Sequence, residues 1–98
     1  DLNIKKFFEQ VLVELIIINN LNTDGDVISK QYQMEEITLL NLEKIKNNLK
    51  LNNNKCIENY LKNNINLLIK DNIHDFDNDI KKEIDNIKQI LKNFDNNN

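Results

Sequence analysis

Ninety-eight residues set the scale of a single domain, able to bury roughly 60–65% of its unfolded surface around one core without metals or disulfides. Apolar residues make up 40% and charged residues 30%, an ordinary balance for a soluble domain, and the net charge is −3. All thirteen cations are lysine, so there is no guanidinium fork for bidentate contact with phosphate or guanine, and direct nucleic-acid binding is disfavoured on both counts.

Asparagine accounts for 21 residues, isoleucine for 15, and alanine, arginine, proline and tryptophan are absent. Asn, Ile and Lys are spelled by AT-rich codons, so the bias reads as the mutational signature of an AT-rich genome, such as a protist's, rather than as a prion-like tract. With no alanine and one glycine, helices have few small residues through which to approach closely, and interaxial distances belong at the wide end of about 8–10 Å.

The first segment, about Asn3 to Ile18, contains the most apolar run of the chain, Phe7–Ile18. Lys6, Gln10 and Glu14 recur every four residues, a thin polar stripe with Val13 beside it. A strand competes, because Val11, Val13 and Ile16–Ile18 are β-branched, but Glu9, Gln10 and Glu14 do not alternate as a strand requires. The reading is a helix apolar over most of its circumference, which the other segments must cover.

A polar turn, Asn19–Asp26, follows, and a second helix is expected from an N-cap near Ser29 toward Leu49. Its stripe Leu39, Leu42, Ile45, Leu49 is clean, while a ragged first half allows a break near Thr38. After the short turn Leu51–Asn54, a third helix over Lys55–Lys70 places Ile57, Leu61, Ile65 and Leu68 on one face. Asp71–Phe76 connects to a last helix with the stripe Ile80, Ile84, Ile87, Leu91, Phe94, and Asp95–Asn98 should fray. The sum is an all-α compact bundle of four helices, or five if the second breaks, spanning residues 1–94 with an Asn-rich tail at 95–98. Leu12, Leu15, Leu61 and Ile84 are the expected core.

Chemical signatures are sparse. Asn20-x-Asn22-x-Asp24-Gly25-x-Val27-x-x-x-Gln31 overlays the calcium loop of an EF-hand, but Asn stands at the first ligand position and Gln at the twelfth, where charge is needed. A polar turn without calcium is the expectation. Cys56, beside its helix's apolar stripe, reads as a semi-buried structural cysteine in a reducing compartment, nuclear or cytoplasmic, and its solitary state excludes an internal disulfide. His74, among Asp71, Asp75 and Asp77, reads as an exposed turn residue. No second His or Cys is available for zinc, no phosphate loop or catalytic constellation stands out, and no apolar run of 18 residues is present to span a membrane. The expectation is a non-enzymatic chain with no cofactor and no metal.

The connections are more informative. Leu51, Ile73 and Phe76 are apolar residues in polar turns, either plugs for the bundle ends or contacts for a partner protein. Ile73 and Phe76 are expected as the exposed contact, with Leu51 joining only if the helices cross steeply.

Two resemblances attach to these residues. Ile45-Lys46-Asn47-Asn48-Leu49-Lys50-Leu51 followed by Lys55-Cys56-Ile57-Glu58 resembles the first helix–loop–helix of the integrase-binding and transcription-elongation-factor helical modules, although the loop here is shorter. That family binds short peptides through interhelical loops, which would place Leu51, Asn52 and Phe76 near the peptide. The order of an apolar first helix, a loop, a long second helix, a short turn and a Tyr60-Leu61 third helix is similar to the ACDC domain of apicomplexan Apetala-type transcription factors, covering about Val11–Asn72 but lacking that domain's Cys-Leu-Pro ending. Both imply a protein–protein interaction module within a transcriptional regulator. The other readings left open are a structural or oligomerisation bundle of a parasite protein and a degenerate EF-hand-like module.

Overall fold

The computed structural model of the chain describes residues 2–21, 30, 32, 39–65, 68 and 76–96. Four helices order these residues: α1 (Leu2–Asn19), α2 (Leu39–Asn48), α3 (Lys55–Tyr60, continuing as a π-helical segment Leu61–Ile65) and α4 (Phe76–Asn96). Among the described residues there is no strand, and the fold is the all-α bundle expected. The Ser29 cap, the question of a break near Thr38, and residues 69–75 lie outside the described residues.

The α1 helix supplies the centre. Phe7, Phe8, Val11, Leu15 and Ile18 follow helical spacing and are all buried. Against them pack Leu42 of α2, Ile57 and Tyr60 of α3, Leu61 and Ile65 of the π segment, and Phe76, Ile80, Ile84 and Ile87 of α4. Phe8 is the aromatic hub. Its ring meets Tyr60 edge-on at 5.2 Å and lies 6.3 Å from Phe94, so one side chain joins α1, α3 and α4. Lys5 and Asp95 form an ion pair at 2.7 Å, which brings the start of α1 to the end of α4 and sets the two antiparallel. Asp95 and Asn96, expected in a frayed tail, are helical, and residues 97–98 lie outside the described residues.

Two further expectations need correction. Leu12 is only half-buried, because it flanks the core face rather than occupying it. More importantly, α1 is not covered on most of its circumference: Val13, Ile16 and Ile17 are 46%, 39% and 52% exposed.

The turn between α2 and α3 accounts for Leu51. Lys50 adopts a left-handed conformation (φ 60°), Leu51 N–H donates to the Lys46 carbonyl at 2.8 Å, and Lys50 N–H to that of Asn47 at 3.0 Å. This is the Schellman pattern of helix termination, in which the residue after the left-handed one turns an apolar side chain back onto the helix. Leu51 occupies that place and is buried. Three residues on, Asn54 caps α3, its Oδ1 accepting from Ile57 N–H at 3.1 Å.

Ile57, Leu61 and Ile65 recur at steps of four, as Phe7, Val11 and Leu15 do in the regular helix α1, and along α3 and its π segment all three are buried.

Candidate interaction surfaces

Phe76 is not a surface contact. It is the first residue of α4, 2% exposed, and closes the end of the core as a plug. Leu51 is likewise buried as the terminator of α2, so neither forms the exposed patch expected of them. Ile73 lies outside the described residues, as do His74 and all of the calcium-loop-like stretch but Asn20, Leu21 and Lys30. Cys56 is exposed rather than semi-buried: in the first turn of α3 it lies at the edge of the face that buries Ile57 and Tyr60, not within it. Among the described residues no group of three or more His, Cys, Asp or Glu is gathered as for a metal, and no helix is long and apolar enough to cross a membrane.

Two surfaces are built in other places. The first is the outer face of α1. Lys6, Glu9 and Gln10 form one wall of a groove of about 230 Å³, with Ile45, Asn48 and Leu49 of α2 as the other. One and two turns further along α1, the same stripe becomes Val13 and Ile17, with Ile16 beside them. A β-branched apolar trio this exposed, opposite a face that fills the core, is not needed to fold α1. The sequence showed the apolar residues but not which of them the other helices would leave bare.

The second is a polar cleft between the π segment and α4, about 350 Å³ and open, lined by Asn63, Asn64, Leu68, Asp79, Lys82, Glu83 and Asn86. Glu83 forms part of its wall although it is only 8% exposed. Its Oε1 accepts from Asn86 Nδ2 at 2.6 Å and its Oε2 from Asn64 Nδ2 at 3.3 Å. None of the ion pairs among the described residues includes it. Nearby, the Tyr60 hydroxyl is buried without a hydrogen-bond partner. Burial, and secondarily the charge of Glu83, pushes its pKa far above the ordinary tyrosine value. Sequence periodicity alone could have marked Glu83: it falls three residues after Ile80, immediately before Ile84, on the buried side of α4.

A third polar group is structural. Lys46, 7% exposed, runs its stem along the core edge and pairs with Glu58 at 2.7 Å and Glu43 at 3.2 Å. It ties α2 to α3 across the turn, and its hydrogen bond to Glu58, against an opposing contribution from burial, raises its pKa above 10.5.

Compared with protein families, with curated proteins and with solved structures, the chain matches none.

Proposed function

We propose that this bundle is a non-enzymatic protein-interaction module whose contact surface is the outer face of α1 and the adjoining α1–α2 groove. The observation that carries the reading is the exposure of Val13, Ile16 and Ile17 on a helix whose other face already completes the core. The occupant that fits is an amphipathic helix of a partner protein. Its apolar stripe would cover Val13, Ile17, Ile45 and Leu49, and its flanking charges would meet Lys6 and Glu9, which carry opposite signs. Placement within a transcriptional regulator, and hence in the nucleus, rests on the resemblance to the ACDC and elongation-factor modules. It shifts the contact from their interhelical loops to a helix face, because Leu51 and Phe76 are occupied in the core.

The test is the double variant Val13→Ser with Ile17→Ser. Both positions are on the surface, so unfolding free energy should stay within about 0.5 kcal/mol per site. Proteins captured by the immobilised domain should be lost. A variant that captures the same proteins as the parent would refute the reading.

A further inference from the structure

We infer that the cleft between the π segment and α4 is a binding site for a primary ammonium group, with Glu83 as its counter-charge. A carboxylate taken out of water is normally paired with a cation or a metal. Glu83 is more than nine-tenths buried, yet among the described residues its side-chain hydrogen-bond partners are two neutral amides. From these each of its oxygens accepts one bond where it has room for about two. The amides add to the acceptor character of the cleft. Each of these asparagines also has a side-chain carbonyl oxygen able to accept, and Asn64 and Asn86 both line the opening. Asp79, one turn before Glu83, adds a second carboxylate to the same wall. Lys82 is the one cationic side chain of the lining among the described residues, and it forms no ion pair with Glu83.

An acceptor-rich cleft with a single buried charge suits a donor-only, singly charged ligand. A primary ammonium has three N–H donors and no acceptor, matching one carboxylate and two carbonyl oxygens. A divalent ion is a poorer match: calcium takes six to eight oxygens, usually several of them charged, and the described residues gather no group of three or more metal-ligating side chains. Such an ammonium could be borne by a lysine side chain of a peptide or by a free polyamine, and the same chemistry would hold either.

Titration of the isotope-labelled 98-residue chain by nuclear magnetic resonance tests this, with Nα-acetyl-lysine methylamide, spermidine and calcium chloride as separate probes. The side-chain amides of Asn64 and Asn86 should shift saturably with at least one ammonium. Saturation by the lysine analogue points to a peptide-borne group, and saturation by spermidine alone to a free polyamine. The same analogue acetylated at Nε should be silent. Glu83→Gln should weaken binding about tenfold or more, the scale of one charge-assisted hydrogen bond, and Asp79→Asn by less. The inference is overturned by the absence of saturable shifts with both ammonium probes, by equal response to the acetylated analogue, or by a response to calcium in their place. Unchanged affinity in a folded Glu83→Gln variant overturns it too. The acetylated control decides the matter even if that variant fails to fold.

Discussion

Tyr60 carries the least comfortable atom among the described residues. Its ring is well used, edge-on to Phe8, but its hydroxyl is buried without a partner. An unsatisfied buried hydroxyl costs about 1–3 kcal/mol, whereas its removal without loss of shape is nearly neutral or favourable. Tyr60→Phe should therefore leave stability unchanged or raise it by about 1 kcal/mol on denaturant melting. A clear loss would show that the hydroxyl is satisfied in solution. Lys50 is the second residue under strain. A side chain with a Cβ in the left-handed region costs roughly 1–2 kcal/mol, and glycine escapes most of that cost at some expense in chain entropy. Lys50→Gly should stabilise the domain by about 0.5–1 kcal/mol, provided the Schellman turn seen at Lys50–Leu51 persists in solution. If it destabilises, the turn is not the one described.

At the scale of the element, the plugs and the inter-helix ties can be separated. Phe76 belongs to the core, so Phe76→Ala should cost about 3–5 kcal/mol, and Leu15→Ala, at the fully buried centre of α1, about 2–5 kcal/mol. A cost under about 1 kcal/mol at Phe76 would return it to the surface role that a sequence reading gives it. The tie between α2 and α3 is electrostatic and therefore depends on pH. Lys46 has a folded pKa above its ordinary 10.5, so its contribution is complete below that value and is lost as pH rises through the folded one. Tyr60 acts in the same direction: its hydroxyl stays protonated in the folded chain while the unfolded chain ionises near 10. Melts should thus show constant stability from these two groups through neutral pH and a fall above about pH 10. In Tyr60→Phe the fall should be shallower, leaving the share of Lys46. An equally steep fall in that variant would exclude Tyr60 as a cause.

For the whole molecule, the question is whether the bare face of α1 serves a partner or a second copy. The chain has a radius of gyration of 13.4 Å, close to the ~13 Å of a compact domain of this length. Small-angle scattering of a monomer should return a value near this, slightly enlarged by hydration. A concentration-dependent increase, abolished by Val13→Ser with Ile17→Ser, would replace the partner-helix reading with self-association through α1. The same measurement separates the interaction module from the oligomerisation bundle, since both readings use the same exposed face of α1.

Much of this architecture is written in local pattern. The periods of Ile80, Ile84 and Ile87 and of Ile57, Leu61 and Ile65 place two helix faces correctly, because a helix side chain's direction follows from its position in the chain. What pattern does not contain is competition between elements for cover. Apolar character alone gives Phe7–Ile18 as a helix to be wrapped. Only packing decides that α2, α3 and α4 all settle on one side of it, leaving Val13, Ile16 and Ile17 bare. Leu51 and Phe76 fail as surface residues for the same reason: a turn residue's exposure is fixed by helix termination and bundle closure, which are tertiary events. The Glu83 cleft is the extreme case. Its carboxylate, its two amides and the neighbouring Tyr60 hydroxyl come from two separate stretches of chain, and nothing in either stretch states that they meet. The sequence by itself determined the helices and most of their buried faces, because periodicity is local; the tertiary structure alone decided which apolar residues remain outside and which polar ones go in, because burial belongs to pairs of elements.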